Sequence, residues 1–382
     1  MFSSNFTLGI LGGGQLGKML LYDTRKWDIR TRVLEADADA PARLACNEFV
    51  QGSLLDEETV YAFGKKCDVL TLEIENVNTD ALERLVREGV RVYPPPAALR
   101  MIQDKTVQKQ FYADNGIATA PFFICESRQK LQEIIDNKTI AYPFVWKSPM
   151  FGYDGKGVKI VRQPADLADL PDAPMLIEVC VNIRKELAVI VARSTTGECS
   201  TFPVVEMDFA GDANLVTTVG CPANLPPDIA AEAVRLAVQV AEKLAMVGLL
   251  AVELFYTTEG QLMVNECAPR PHNSGHLFSD AGYTSQFEQH LRAILGLPLG
   301  NTALHTPAAM LNLVGALGHT GAVVYKNMAQ VLAINGVTPH IYGKRETRPF
   351  RKMGHINVTA DTLALAYAKA EQVAALIEVV AK

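Results

Sequence analysis

The stretch that decides the fold reads Val264-Asn265-Glu266-Cys267-Ala268-Pro269-Arg270-Pro271-His272-Asn273-Ser274-Gly275-His276. It begins as an apolar strand and continues as a dense polar cluster on a segment broken by prolines. Thirteen residues before Glu266, Glu253 interrupts a second apolar run, which extends over residues 248–256. Because the intervening residues 257–260 are typical of a hairpin loop, the pattern predicts that Glu253 and Glu266 lie side by side on adjacent strands.

Two carboxylates on otherwise apolar strands need a cation nearby. Carboxylate oxygens, together with the amide oxygen of Asn265, suit magnesium held against phosphate groups. The alternative is that both carboxylates face solvent on the outer side of a sheet. The interruption of an apolar run at Glu253 and the polar cluster after Glu266 favour the metal site.

The bulk composition excludes several classes of protein. The chain has 382 residues, enough for two or three domains, and its net charge of −6 argues against a broad nucleic-acid surface. No apolar run is long enough to cross a membrane, and the first residues do not resemble a signal peptide. The seven cysteines are widely spaced and form no Cys-x-x-Cys pair, which favours reduced thiols, no zinc site and a cytoplasmic location.

The first hundred residues alternate between strand and helix patterns, which predicts a parallel sheet flanked by helices. Three consecutive prolines at 94–96 mark a first boundary. A helix over residues 99–115 follows, and then short strands of a small mixed α+β unit. A strong helix precedes the Glu253/Glu266 hairpin, and one terminal helix is predicted over residues 363–380.

Two glycine-rich segments suggest phosphate sites. Gly12-x-Gly14-x-x-Gly17 stands between a strand and a helix, where glycines let a phosphate approach unbonded N–H groups. Glu35 follows at a spacing that would also fit a dinucleotide-binding fold, and a turn that merely needs glycines is a further alternative. The second segment, residues 152–157, follows a strand that ends at Lys147, so it could cover a triphosphate or be a plain hairpin.

A basic segment lies near the C-terminus, where residues 344–352 hold five lysines and arginines. In an acidic chain, this concentration of cations suggests an anion pocket, with a solvated loop as the alternative. Glu178 and Glu186 stand at strand ends, where a carboxylate can accept hydrogen bonds from ribose hydroxyls. For these two residues the pattern alone favours ordinary edge charges.

Jointly these motifs carry a resemblance to a known family. They are residues 12–17, Thr71-Leu72-Glu73-Ile74-Glu75-Asn76-Val77, Gln103-Asp104-Lys105 with Gln108-Lys109, residues 151–157, residues 265–276 and the segment from Arg348 to His355. Spread in order over nearly the whole chain, they resemble the ATP-grasp enzymes, specifically the 5-(carboxyamino)imidazole ribonucleotide synthase family of purine biosynthesis. The resemblance implies an ATP-grasp fold of α/β and α+β type, with a Rossmann-like (preATP-grasp) domain at 1–96, a small lid within 97–182 and a C-terminal domain at 183–382.

The resemblance also assigns roles to individual residues. Magnesium, with two ions expected, would bind Glu253 and Glu266. The ATP-binding residues would be Lys105, Lys147, Glu178 beside the adenine, Glu186 at the ribose, and Asn265. Arg270, His272 and Asn273 would surround bicarbonate and its phosphorylated product. The imidazole ribonucleotide would contact Gly14, Gln15, Leu16, Glu75, Tyr153, Asp154, Lys156, Lys344 and Arg351.

The implied reaction joins bicarbonate to the amine of 5-aminoimidazole ribonucleotide with consumption of ATP. The resemblance further implies a homodimer and a transient contact with the mutase that acts next in the pathway. Three alternatives remain open: a formate-dependent ATP-grasp transformylase, a nicotinamide dehydrogenase and a noncatalytic nucleotide-binding regulator. In the transformylase the residues after the histidine are typically Asp-Thr-Gly, whereas this chain has Asn273-Ser274-Gly275, which disfavours that alternative. The intact pair Glu253 and Glu266 disfavours the dehydrogenase and the noncatalytic regulator.

Overall fold

The N-terminal part is a five-stranded parallel sheet with helices on both faces. The computed structural model describes residues 3–150, 157–209 and 216–382. Strand order is β3-β2-β1-β4-β5. The strands are β1 (Thr7–Leu11), β2 (Arg30–Glu35), β3 (Glu48–Gln51), β4 (Val69–Leu72) and β5 (Arg91–Val92), and the helices are α1 (Gln15–Lys26), α2 (Glu57–Gly64) and α3 (Thr79–Arg87). One face packs on α2 and α3, and the other on α1 together with a helix from the C-terminal part.

A small antiparallel sheet follows. Helices α4 (Pro96–Gln103) and α5 (Lys105–Asp114) lead into it. Its four strands have the order β6-β9-β7-β8. They are β6 (Phe122–Cys125), β7 (Phe144–Lys147), β8 (Val158–Val161) and β9 (Met175–Val179), with α6 (Arg128–Asp136) and a 3-10 helix (Pro164–Asp169) beside them. Since Lys147 pairs with Val158, the second glycine-rich segment joins the ends of two paired strands, and the prediction that Lys147 lies at its foot is confirmed.

The largest sheet has nine strands and carries the hairpin. Strand order is β15-β14-β10-β12-β13-β16-β20-β18, and β11 pairs with β10. The strands are β10 (Ile183–Arg193), β11 (Cys199–Thr201), β12 (Val205–Phe209), β13 (Val216–Cys221), β14 (Gly248–Thr257), β15 (Leu262–Ala268), β16 (Ala308–Val314), β18 (Val337–Ile341) and β20 (Lys352–Thr359). The 17-residue helix α7 (Pro227–Lys243) buries its apolar face against β10, β14 and β15.

The remaining elements complete the C-terminal part. They are a 3-10 helix (Asn273–Gly275), α8 (Phe278–Ala281), α9 (Gln286–Leu295), β17 (Gly321–Lys326), α10 (Met328–Leu332), β19 (Glu346–Thr347), α11 (Leu363–Leu376) and β21 (Glu378–Ala381). The last three-stranded sheet has the order β19-β17-β21. Within the described residues, no helix combines the length and apolar character needed to cross a bilayer. The domain boundaries predicted at 96 and 182 stay a proposal.

Two predicted helices are wrong in extent. The helix predicted over 99–115 is broken at Asp104, which is extended and accepts hydrogen bonds from the amides of Thr106 and Val107. A side chain that caps a new helix competes with continuation of the old one. The terminal helix predicted over 363–380 ends at Leu376, and the β-branched residues after it pair with β17 as a strand.

Contacts between the N-terminal and C-terminal parts bring the first glycine turn close to the basic segment. Lys18, the fourth residue of α1, donates to the carbonyl oxygens of Ile341 and Tyr342, just before the basic segment, at 3.1 Å each. Asp39 pairs with Arg345 at 3.0 Å. The glycine turn and the basic segment therefore belong to one region of the surface although more than 320 residues separate them in sequence.

Candidate active site

The carboxylate hairpin forms as predicted. Glu253 on β14 is paired with Glu266 on β15, which confirms the register expected from the sequence. Immediately beyond this pair the register shifts, because Leu254 pairs with Val264 and leaves Asn265 as an extra residue in β15. Such a bulge redirects side chains. Asn265 and Glu266 are consecutive in a strand, yet each contacts a lysine of the same site.

Those two lysines come from different elements. Lys147, the last residue of β7, donates to Asn265 Oδ1 at 2.9 Å. Lys105, the first residue of α5, pairs with a carboxylate oxygen of Glu266. The break at Asp104 matters here because it places Lys105 at the start of α5. The backbone amide of Lys105 donates to the carbonyl oxygen of Pro149. The small sheet and the large sheet thus meet at the hairpin.

Three carboxylates of this cluster titrate differently. Burial, followed by the charges of Glu266 and Glu186, raises the pKa of Glu253. Burial also raises the pKa of Glu186, to about 7, and Glu266 adds to this while Lys147 opposes it. Burial acts in the same sense on Glu266, but Lys105 and Lys147 outweigh it and hold its pKa below the ordinary value. Glu266 is therefore stabilised as a carboxylate by the two lysines, whereas the ionised forms of Glu253 and Glu186 would gain from a further cation nearby.

The donor set fits magnesium. Glu253, Glu266 and Asn265 supply hard oxygen ligands, and magnesium is typically held by one or two carboxylates together with substrate phosphates. Among residues 3–150, 157–209 and 216–382, no group of three or more His, Cys, Asp and Glu residues is arranged as a self-sufficient metal cage.

The segment after the hairpin is fixed by buried amides. His272 Nε2 lies 3.4 Å from Glu253 Oε1. The side chain of Gln286, which is fully buried at the start of α9, accepts from the His272 amide and donates to its carbonyl, both at 2.8 Å. Asn273 makes a two-way amide pair with Asn312 at 2.9 and 3.0 Å. Neither Gln286 nor Asn312 was identified from the sequence, because only the fold brings them to this loop.

Arg270 joins the loop to the N-terminal sheet. Its Nε lies 2.9 Å from Glu75 Oε1, just beyond the end of β4. The structure thus brings together a residue predicted to contact the ribonucleotide and one predicted to contact bicarbonate. The site is assembled from at least three separate segments of the chain.

The first glycine turn differs from its prediction. The sequence suggested unbonded N–H groups, but Gly14 N and Gly17 N donate to the two oxygens of Glu73 at 2.7 and 2.8 Å, and Gly13 N donates to Glu35 at 2.9 Å. A Cβ atom on Gly14 would lie 2.6 Å from Glu73, so the glycines make room for a protein carboxylate. Within the described residues, the amides of Gln15 and Leu16, the first two of α1, have no acceptor from a preceding helical turn.

The basic segment and the second glycine segment complete the predicted set. Lys344 donates to the carbonyl of Lys352 and Arg351 to that of Glu346, both at 2.7 Å. Tyr153, Asp154 and Lys156 lie outside the described residues.

Comparison with known proteins identifies the family. The ATP-grasp domain model matches residues 110–287, the ribonucleotide synthetase preATP-grasp domain matches 6–103, and the phosphoribosylaminoimidazole carboxylase C-terminal domain matches 308–369. The N5-carboxyaminoimidazole ribonucleotide synthase of Mycobacterium tuberculosis is 39% identical over 95% of this chain and 86% of its own length. Three relatives named phosphoribosylaminoimidazole carboxylase are longer, and the chain spans between 64% and 67% of their length.

Solved structures agree with this. The N5-carboxyaminoimidazole ribonucleotide synthetase of Thermotoga maritima superposes with a TM-score of 0.91 at 38% identity, covering 99% of this chain and 100% of that one. The Aspergillus clavatus synthase in complex with ADP and 5-aminoimidazole ribonucleotide has a TM-score of 0.86 at 32% identity, over 97% and 98% of the two chains.

The fold and the lysine–carboxylate site therefore define an ATP-grasp enzyme, an ATP-dependent ligase. Within that class, the chain belongs to the N5-carboxyaminoimidazole ribonucleotide synthase family of purine biosynthesis.

Proposed function

We propose that this chain joins bicarbonate to the exocyclic amine of 5-aminoimidazole ribonucleotide and converts ATP to ADP and phosphate. The observation that carries the proposal is the convergence of Lys105 and Lys147 on Asn265 and Glu266 of the hairpin. Lysine side chains suit the phosphates of a nucleoside triphosphate, and hard oxygen ligands beside them suit its metal ion. The ligands of the Aspergillus clavatus complex, ADP and 5-aminoimidazole ribonucleotide, support the same substrates here.

The chemistry explains why ATP is needed. Bicarbonate is a poor electrophile, and phosphoryl transfer from ATP converts it to carboxyphosphate, which has a good leaving group. Glu253 and Glu266, with Asn265 beside them, would hold magnesium, with two ions expected, and the metal would offset charge on the phosphates. Lys105 and Lys147 would contact the phosphates, Glu178 would stand beside the adenine and Glu186 would accept the ribose hydroxyls.

The electrophile would be held by the loop after the hairpin. Arg270 would stabilise the anionic intermediate, with His272 and Asn273 completing its surroundings. The pairing of Arg270 with Glu75 supports this arrangement, because Glu75 is assigned to the ribonucleotide and the amine must meet the activated carbon. The Gln286 and Asn312 amides fix His272 and Asn273 before substrate arrives, which lowers the cost of ordering the loop.

The ribonucleotide would lie between the N-terminal and C-terminal parts. Its phosphate would lie against the turn at Gly14, Gln15 and Leu16, with the Gln15 and Leu16 amides as donors, opposite Lys344 and Arg351. The contacts of Lys18 and Asp39 with the basic segment support this position. Tyr153, Asp154 and Lys156 are proposed as further contacts. Glu73 and Glu35 already bond the Gly13, Gly14 and Gly17 amides, so the turn suits one phosphate better than the pyrophosphate of NAD.

Removal of the Arg351 side chain should selectively weaken binding of the ribonucleotide. A charge-assisted contact contributes about 1.5–3 kcal/mol, so Arg351→Ala should raise the KM for ribonucleotide roughly ten- to a hundredfold and change that for ATP much less. Arg345→Ala is the matched control, because the ion pair of this exposed arginine with Asp39 lies on the surface, where such pairs contribute little. Both KM values are measured in one ADP-release assay. An equal rise of the KM for ATP and the KM for ribonucleotide would contradict the assignment.

The affinity for ATP should depend on pH through Glu186. With its pKa at about 7, this carboxyl is largely protonated at pH 6 and ionised at pH 8. Hydroxyls donate more strongly to a carboxylate than to a neutral acid, by about 1 kcal/mol, so the KM for ATP should fall roughly fivefold from pH 6 to pH 8. Glu186→Gln controls for titration of ATP itself and should lose this part of the dependence. An identical pH profile in both proteins would remove Glu186 from the ribose site.

The direct test of the function measures ADP release with 5-aminoimidazole ribonucleotide. Release should require bicarbonate and should not be supported by formate at the same concentration. Formate-dependent release would make the chain a transformylase instead.

We propose further that the chain is a cytoplasmic homodimer and that it makes a transient contact with the mutase that acts next in the pathway. Sedimentation velocity tests the dimer, since a monomer at micromolar concentration would contradict it.

A further inference from the structure

Lys109 is a fully buried lysine that the site has so far not explained. It lies on α5, one helical turn after Lys105, and its side chain is 2% exposed. Its Nζ is 2.6 Å from Thr119 Oγ1, 2.9 Å from Glu178 Oε1 and 3.5 Å from the carbonyl oxygen of Val264. Three protein oxygens thus surround the ammonium, so it is not placed to bind a ligand itself.

The carboxylate that it contacts is shared with Lys147. Glu178, on β9, places Oε2 at 2.8 Å from Lys147 Nζ, and its side chain is only 3% exposed. One buried carboxylate is therefore held by two lysines, from α5 and from β7. Lys147 in turn reaches Asn265 on the hairpin. The chain of contacts from Lys109 to Glu178 to Lys147 ends at the proposed phosphate site.

This arrangement carries an electrostatic cost. Burial, together with the charge of Lys147, lowers the pKa of Lys109 to about 8, although Glu178 opposes the shift. Burial opposes ionisation of Glu178 as well, but the two lysines hold its pKa below the ordinary value. A neutral side chain at position 109 would avoid burying a cation, so the charge there needs a reason beyond packing.

We propose that Lys109 is a positioning residue for Lys147, acting through Glu178. By fixing one carboxylate oxygen, Lys109 leaves the other to set the place of the Lys147 ammonium at the nucleotide phosphates. The i, i+4 spacing lets one face of α5 serve two carboxylates, since Lys105 pairs with Glu266 and Lys109 with Glu178. The inference rests on the proposed placement of Lys147 at the phosphates.

The test compares nucleotide binding in matched variants. Lys109→Met should weaken equilibrium binding of Mg-ADP and raise the KM for ATP, each about tenfold, with the KM for ribonucleotide changed less than twofold. Arg32→Met is the control, because Arg32 is also a buried cation, paired with Glu48 in the N-terminal sheet. It should lower the melting temperature without a selective effect on ATP. If Lys109→Met does not fold, Lys109→Gln, which keeps N–H donors without the charge, carries the same test.

A double-mutant cycle separates positioning from general stability. If Lys109 acts through Glu178, Lys109→Met combined with Glu178→Gln should bind Mg-ADP no more weakly than Glu178→Gln alone. The proposal would be overturned if the losses of Mg-ADP affinity in the two single variants multiplied in the double variant. It would also be overturned if Lys109→Met raised the KM for ATP and the KM for ribonucleotide equally. Mg-ADP binding is measured without the second substrate, so a selective loss there would uphold Lys109 even if the wild-type chain failed to carboxylate the ribonucleotide. If the wild-type chain carboxylates the ribonucleotide and Lys109→Met binds Mg-ADP normally, the inference about Lys109 is rejected while the proposed function stands.

Discussion

Glu266→Gln is expected to reduce turnover at least about a hundredfold while the chain remains folded. The substitution keeps the shape of a side chain that lies beside Glu253 but removes the charge of one proposed magnesium ligand. It also takes from Lys105 its carboxylate partner. Metal stabilisation of a transferring phosphoryl group is worth several kcal/mol, and each 1.36 kcal/mol corresponds to a factor of ten in rate.

The hairpin offers its own control for this experiment. Glu259 lies in the turn between the same two strands, where it is exposed and bonds Thr258. Glu259→Gln should therefore turn over at the wild-type rate. Circular dichroism and thermal unfolding of both variants establish that the fold is retained. Near wild-type turnover of Glu266→Gln at saturating magnesium would reject the metal assignment.

Arg270→Lys is expected to lower kcat about a hundred- to a thousandfold, with the KM for ATP changed only a fewfold. The lysine keeps a positive charge but loses the planar fork of donors that suits an anionic oxygen pair, and loss of one such stabilising group typically has this effect. The comparison is with Glu75→Gln, which removes the charge that Arg270 faces at 2.9 Å.

The two variants distinguish transition-state stabilisation from structural pairing. If Arg270 acts on the bicarbonate-derived intermediate, Glu75→Gln should mainly raise the KM for ribonucleotide, and the large loss of kcat should be confined to position 270. Single-turnover measurements report the chemical step directly. Equal losses of kcat in the two variants would mean that the ion pair matters and that Arg270 has no separate role in the reaction.

Sequence patterns predicted the hairpin because both of its strands have strong local signals. The apolar runs, the intervening turn and the two interrupting carboxylates were sufficient to place Glu253 opposite Glu266. They could not predict the bulge at Asn265, because an extra residue in one strand is set by its pairing with the other. The break at Asp104 was missed for a related reason, since apolar periodicity continues through it while the capping side chain interrupts the helix.

The contacts made by the polar residues behind the site could not be predicted from the sequence. Lys109, Gln286 and Glu73 are distant in sequence from the groups they hold, and nothing local marks a buried lysine as different from a solvated one. The first glycine turn shows the same limit. Its pattern indicated an anion close to the backbone. In the structure, the anion that accepts from the Gly14 and Gly17 amides is the carboxylate of Glu73.

The most direct test of the proposed chemistry follows an oxygen atom of bicarbonate. If ATP phosphorylates bicarbonate, the bridging oxygen of carboxyphosphate comes from bicarbonate and leaves with the phosphate when the carbon is transferred. A brief reaction of the wild-type chain with ¹⁸O-labelled bicarbonate, ATP and 5-aminoimidazole ribonucleotide should therefore give phosphate containing one ¹⁸O atom per ADP formed. Phosphate without the label, alongside carboxylated product, would contradict activation through carboxyphosphate.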